Sequence, residues 1–409
     1  MQSVATPHSF PYYPPAAEAS AAPSTEQWEE MVPGRAWVAN RMSDIPERCW
    51  GRGIAANCFD ARYYRIVEET LRDGFRYRYA VLHDPGRGAW AVQPFFLVDQ
   101  DLAMGLPASG RVALKRLRSL FPRFLRSTIL MVGCAAGEGA LDCDEPWALA
   151  LLRATLEGYA RKVRASLLLF KDFPSHHREA LALLAETGYK RVPSMPGAEL
   201  PLEDGDFETY MQRRLSRVYR KGLRRKFREC ERLGGVTMEE ASAEGIEALV
   251  EEVYPLYRQT FERSSYRFEE LTPAYFCDML RAMGERAHLF VWRYQGRTVA
   301  FSLCMVHDGV LCDMNVGLDY SVALHLHLYF ITWRDIISWA MARGLKSYYT
   351  GPLNYDPKLH FRLRLAPLDL YVRHRNRWIN PLFGKLLEFL HPTRYEAILR
   401  RFPNAGELW

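Results

Sequence analysis

Between Gly351 and Lys358 the chain reads Gly-Pro-Leu-Asn-Tyr-Asp-Pro-Lys, directly after the stretch LKSYYT. A glycine that follows a strand lets backbone approach a ligand closely. Tyr355 carries a phenol suited to protonating a leaving thiolate, and Lys358 an ammonium suited to a phosphate or a developing oxyanion. Gly351 and Asn354 would line the same ligand path. These residues also suit a plain turn with a surface lysine, since Pro, Asn and Asp are common there. Upstream, Asp313 and Asn315 alternate at the end of an apolar run, which puts both on one side of a strand. There they can hold an amine, or only cap a turn. His327 titrates near neutrality and can take a proton from an attacking amine, although a lone histidine on a helix is more often a packing or surface residue. His325 lies two residues away on another helix face, so the two are poor joint metal ligands.

The run from Arg213 to Arg228 holds nine Lys or Arg in sixteen residues. On a helix they cannot share one face. A solvated connecting helix is the plain reading. The functional readings are a clamp for carrier phosphates, a tRNA contact, or an anionic membrane surface, with Arg220, Lys221, Arg224 and Arg225 as the contacts. Tyr219 and Phe227 interleave the charges, which suits RNA stacking, lipid headgroups or packing. The stretch ILMVGCAAGEGALD pairs an apolar strand with Gly-x-x-x-Gly-x-Gly, as nucleotide-binding loops do. Such a loop wants an acidic strand end about 20 residues on. The next strand, SLLLFKDF, arrives more than 30 residues later, which speaks against that reading.

Positioning these groups falls to a chain of 409 residues, 48% hydrophobic and 25% charged, with a net charge of +6. That length predicts two domains. Eight cysteines contain no C-x-x-C pair, so neither a zinc ribbon nor a thioredoxin-like motif is expected, and a reducing cytoplasm fits. No targeting segment and no run of 18 apolar residues stands out, which predicts a cytoplasmic protein, with attachment to the inner face of a membrane left open.

Residues 1–35 are rich in Pro, Ala and Ser and read as disordered. From 50 to 203 the pattern runs helix (FDARYYRIVEETLRDG), a strand pair turning at Pro85-Gly88, a basic helix near VALKRLRSLF, strand STILMVG, a long helix from Glu145, strand, helix, strand. Residues 204–376 repeat that order: a basic helical segment broken near Gly222, a strand, helices, a three-strand meander, the helix ALHLHLYFITWRDIISWAMARG, then strand, loop and strand. The tail, 377–409, is amphipathic and helical, and either covers a domain groove or lies on a membrane. The class is α/β (α+β), with mixed, mostly antiparallel sheets flanked by helices.

The repeated order resembles the GNAT acyltransferase superfamily, and more narrowly its tandem members, the Fem-type aminoacyltransferases and FemAB-like or BioF2-like bacterial proteins. MVGCAAGEG, RRLSRVYRKGLRRKFRECERLGGV, LHLHLYFITWRDIISWAMARGL and YYTGPLNYDPKLHFRLRLAP carry the resemblance, over about residues 55–375. The segment SVALHLHL lacks the Gly-rich Q/R-x-x-G-x-G/A loop that offers backbone N–H groups to a pyrophosphate in single-domain members. The resemblance implies two tandem GNAT-like domains, the second catalytic, and no permanent cofactor or metal. Acyl-CoA or another acyl carrier would be co-substrate. It implies transfer from that thioester to an amine, in the lipid version a long-chain amine as in bacterial ceramide synthesis. The alternatives are aminoacyl-tRNA-dependent transfer to a cell-wall precursor, and a degenerate binding protein without catalysis. Lys358 matches the family's lysine in its loop. Tyr355, Lys358, His327 and Asp313 form the candidate catalytic set, with Asn315, Tyr320, Tyr349, Gly351, Asn354 and Arg362 for the substrate.

Overall fold

The computed structural model describes residues 29–31, 34–55, 57–101, 126–264, 267–387 and 392–409. The segment 1–28 and the basic stretch VALKRLRSLF lie outside them. Two strands, β1 (Glu29–Met31) and β2 (Gly34–Ala39), fall inside or across the segment expected to be disordered. β2 is held there by antiparallel pairing with β3 (Phe75–Asp84), which is in turn paired to β4 (Ala89–Asp101).

The first sheet has the order β1-β2-β3-β4-β5-β6-β15-β7, with β5 Arg126–Val132, β6 Leu167–Pro174, β7 Lys190–Pro193 and β15 Leu368–His374. The second has the order β14-β8-β13-β12-β11-β10-β9. Its strands are β8 Gly197–Pro201, β9 Thr237–Ala241, β10 Ala287–Tyr294, β11 Arg297–His307, β12 Val310–Leu318, β13 Ser347–Thr350 and β14 Arg364–Ala366. The sheets therefore cut across contiguous halves at 50–203 and 204–376. β8, from the first stretch, pairs with β13 and β14, while β15, from the second, pairs with β6 and β7. The exchange is pinned by Asp369, which is fully buried and accepts from Arg178 Nε (2.6 Å) and Arg191 Nη1 (2.7 Å). A carboxylate removed from water needs such partners.

Local sequence sets the helices. α1 (Ala61–Thr70) starts at Asp60, whose side chain accepts from the Arg62 and Tyr63 amides. α2 (Pro146–Lys162) has proline in its first turn, where no N–H is needed; α3 (Arg178–Glu186) follows β6. The basic segment breaks at Leu215-Ser216 rather than at Gly222. α4 (Phe207–Arg214) ends there, and Ser216 caps α5 (Arg217–Arg232), which runs straight through Gly222. α6 (Ile246–Arg263) and α7 (Pro273–Met283, capped by Thr272) cover one face of the second sheet; α8 (Leu328–Ala342) covers the other.

One apolar cluster joins the modules. Tyr63 and Phe96 of the first share it with Tyr275, Phe276 and Phe301 of the second, and the hydroxyls of Tyr63 and Tyr275 lie 3.1 Å apart. Arg286 crosses the same boundary to Asp60 (2.7 Å). The tail covers a groove. Leu399, Phe402 and Leu408 pack with Tyr355, Leu359 and Leu365, and Leu387, at the end of α10 (Asn380–Leu387), packs with Val192 and Val372; Tyr355 and Leu359 belong to α9 (Tyr355–His360). No helix among the described residues is long and apolar enough to cross a membrane.

Each sheet has one internal parallel pair. β12 and β13 pair from Val310↔Ser347 to Asp313↔Thr350, after which β13 ends and β12 continues alone on that side. β5 and β6 pair only as far as Val132↔Phe170, and the next loop fills the gap: Gly139 N donates to Asp172 O at 3.0 Å, and Lys171 Nζ to Gly137 O at 3.1 Å. A side chain at Gly139 would meet the Phe173 ring at 2.4 Å, so only glycine lets the loop lie that close.

Candidate active site

The parting of β12 and β13 is the place where a central strand keeps unpaired backbone beside polar side chains. Asp313 stands at the last paired position and accepts from Ser302 Oγ (2.5 Å) and Tyr348 OH (2.7 Å). Burial pushes its carboxyl above the usual range, against those donors. Lys358 is 6% exposed and donates to the Gly351 carbonyl. Burial drags its ammonium down to about 7, with Asp313 pulling the other way. The loop between carries Leu353 and Asn354 at positive φ (73° and 52°), a conformation non-glycine residues hold at a cost of about 1–3 kcal/mol. Tyr329 of α8 reaches Asn354 from the far side. Asp313, Gly351, Asn354 and Lys358 thus come together.

The other sequence candidates do not join them. Tyr355 is 2% exposed and its hydroxyl donates to Pro196 O at 2.7 Å; burial raises its pKa further. It anchors α9 under the tail rather than facing a thiolate. His327 precedes α8 with φ 54°, and its Nε2 lies 2.8 Å from Glu229 of α5. Tyr320 sits under Arg263, 4.2 Å away, and Arg362 is exposed. Asn315 faces away from Asp313, because Met314 forms a bulge: Asp313 registers with Cys304 and Asn315 with Leu303, neighbours on opposite faces of β11. On α5, Arg220 donates to the Met211, Gln212 and Leu215 carbonyls and Arg224 pairs with Glu208, so both hold α4 in place. Lys221 and Arg225 are exposed.

A second group of polar residues, of which only Tyr349 is expected from sequence, lies on the opposite face between the modules. Tyr349 donates its hydroxyl to Glu138 of the loop after β5. Glu138 is pushed up to about 7 by burial, as is Glu269. Lys171 pairs with Asp172 (2.7 Å) and sits 5.3 Å over the Phe268 ring. Cys58 and Cys312 bring their sulfurs to 3.9 Å across the boundary. The one trace of this in the sequence is a glutamate among the small residues of GCAAGEG, a place where a carboxyl needs a reason.

The family model described as an acetyltransferase (GNAT) domain matches residues 217–359, the segment that holds α5, the meander, α8 and the Lys358 loop. The "Putative 8-amino-7-oxononanoate synthase 2" of Mycobacterium tuberculosis is 24% identical over 239 residues, 57% of this chain and 30% of that protein. The chain thus spans about a third of the length of that curated relative. Among solved structures, FemX is 13% identical with a TM-score of 0.49, covering 80% of this chain and 94% of that one. L-PGS from Bacillus licheniformis is 14% identical with a TM-score of 0.47 over 80% and 94%. A tandem GNAT protein from the clavulanic acid biosynthesis pathway is 11% identical with a TM-score of 0.41 over 76% and 87%.

Residues 217–359 thus match the GNAT acetyltransferase domain model. The other sheet is built on the same parallel-pair plan, so the fold is that of two tandem GNAT-like modules.

Proposed function

We propose that the chain is an N-acyltransferase that moves an acyl group from a thioester carrier to an amine, at the parting of β12 and β13. The observation that carries this reading is the buried Lys358 amine, titrating near 7 beside Asp313, where the paired backbone of β12 ends. The thioester carbonyl would lie along the free edge of β12. A neutral amine attacks it, and the tetrahedral oxyanion takes hydrogen bonds from unpaired backbone N–H groups. Collapse breaks the C–S bond, the leaving thiolate takes a proton from the Lys358 ammonium, and the Lys358 amine so formed takes the surplus proton from the nitrogen, which leaves amide and thiol. Nothing in this sequence of steps needs an acyl-enzyme.

The donor is acyl-coenzyme A or an acyl carrier protein. The exposed stripe Lys221, Arg225 and Arg228 on α5 suits its phosphates. The acceptor is a long-chain amine taken from an anionic membrane surface. In support, Val218 at the start of that stripe is 83% exposed, and Leu324, beside Arg232 at its end, is 86% exposed, a pairing of apolar and basic groups that suits a lipid interface.

The test is release of free thiol, with mass spectrometry of the product, from acetyl-, octanoyl- and palmitoyl-coenzyme A with ethanolamine, octylamine or sphinganine. Amide should form, and Lys358→Ala should abolish it. An unchanged rate in that variant would displace the site. Tight tRNA binding with a steep salt dependence would redirect the reading to aminoacyl transfer.

A further inference from the structure

The loop 133–140 does two things at once. It closes the parting of β5 and β6 in the first module, through Gly139 N to Asp172 O and Lys171 to Gly137 O. In doing so it carries Glu138 across the boundary to the Tyr349 hydroxyl of β13. Tyr349 is next to Thr350, the last residue paired with β12. The first module therefore gives up a cleft of its own and delivers a carboxyl to the edge of the second module's cleft. Glu138 and Tyr349 also line a cavity of about 360 Å³ between the modules, with Pro174, Ser175, Glu199 and Arg364 around its mouth. On the same face of the second sheet, Asn315 keeps a buried side-chain oxygen without a partner. A buried acceptor left empty is expensive unless something fills it.

We infer that Glu138 is the proton acceptor of the transfer: the acceptor's ammonium enters through the inter-module cavity, gives its proton to the Glu138 carboxylate, and attacks as the free amine. This rests on the reading of the second module as the acyl-transfer site. The balance is simple. The N–H bond of R–NH₃⁺ breaks and the carboxylate becomes the carboxylic acid; the nitrogen lone pair forms the C–N bond as the thioester C–S bond breaks, and the surplus second proton of that nitrogen passes by way of Lys358 to the leaving sulfur, which gives amide and thiol. Tyr349 is a positioning residue; its hydroxyl fixes the carboxyl and leaves the second oxygen free. The groups that face Glu138 are Lys171 and Asp172 from β6, Tyr349 from β13, and Cys58 and Cys312, both of which feel its charge. Burial outweighs Lys171 and Tyr349 and sets the carboxyl at about 7, where a base both holds and releases a proton readily at neutral pH.

The experiment uses the full chain with palmitoyl-coenzyme A and octylamine, ethanolamine or sphinganine from pH 5.5 to 9.5. Wild-type kcat should be bell-shaped, falling at higher pH as the Lys358 ammonium is lost and rising through a limb near pH 7 set by Glu138. Glu138→Gln should lower kcat at pH 7 by about a hundredfold, leave KM for palmitoyl-coenzyme A within about threefold, and remove that limb. Relative to wild type its rate should recover toward pH 9.5, where solution itself supplies free amine. Glu138→Asp, which keeps a shortened base, should fall between. Retention of the rate and the limb by Glu138→Gln, with Lys358→Ala inactive, would overturn the role of Glu138 alone. Wild type without transfer to any of the three amines would overturn the site and this inference together. A Glu138→Gln protein that melts well below wild type, with a slow Glu138→Asp that keeps the limb at full stability, would still support the inference; a fast one without the limb would overturn it.

Discussion

Lys358→Met tests whether the amine at the parting is held nearly neutral by its surroundings. Its proton affinity drops from an ordinary 10.5 to about 7 in the fold, a difference worth about 5 kcal/mol. The unfolded chain therefore binds this proton more tightly than the folded one between pH 7 and 10.5, and stability from this group rises with pH across that window. Below pH 7 the folded protein carries the full penalty of a buried cation. Methionine of similar length removes the penalty along with one hydrogen bond to Gly351. The variant should thus gain relative to wild type at acid pH and less at alkaline pH. Between pH 6 and pH 9 the difference in unfolding free energy should shrink by about 3 kcal/mol. Urea denaturation of both proteins, followed by tryptophan fluorescence, measures it. A difference that stays flat from pH 6 to pH 9 would mean that Lys358 titrates normally and sits in water, and the chemistry assigned to it would fail. A gain in stability with a loss of transfer would mark the amine as retained for function.

Three further outcomes follow from the geometry. Asp369→Ala takes the buried carboxylate from Arg178 and Arg191, of which Arg178 keeps its bond to the Glu407 carbonyl, and should lower stability by about 3–5 kcal/mol in the same denaturation assay. Tyr355→Phe removes the hydroxyl that bonds Pro196 O and the Leu353 backbone, so it should reduce stability by about 1 kcal/mol and leave kcat within about twofold. Wild type should sediment with vesicles containing phosphatidylglycerol but not with phosphatidylcholine alone, and the double variant Val218→Ser, Leu324→Ser should lose most of that binding; equal binding to both lipids would argue against a charged apolar surface on α5.

The sequence displays what is local. Thr272-Pro273 announces α7, Pro85-Gly88 announces the hairpin of β3 and β4, and Gly344 ends the long helix, because caps and turns depend on neighbours a few residues apart. The order of elements in the two halves follows from the same signals. Partnership at a distance is another matter. Nothing in AELPL or LDLYVRH tells which sheet will accept it, since both are short apolar strands that fit either edge. The Met314 bulge is equally silent, yet it turns Asn315 to the opposite face from Asp313. Lys358 was visible because a Gly and a Lys flank a turn after a strand, whereas Tyr355 and His327 look just as chemical and spend their polar atoms on Pro196 and Glu229. Glu138 gains its meaning only from Tyr349, 211 residues away.

Because β15 lies between β6 and β7 in the first sheet yet follows every strand of the second sheet along the chain, the ribosome must release residue 374 before the first sheet can close. Until then β6 and β7 offer bare edges, and an emerging chain with open edges invites wrong pairing. Gene fragments cut at residue 203 would inherit the same fault. Each would lack a strand its sheet requires, and the two pieces would yield folded material only when made together.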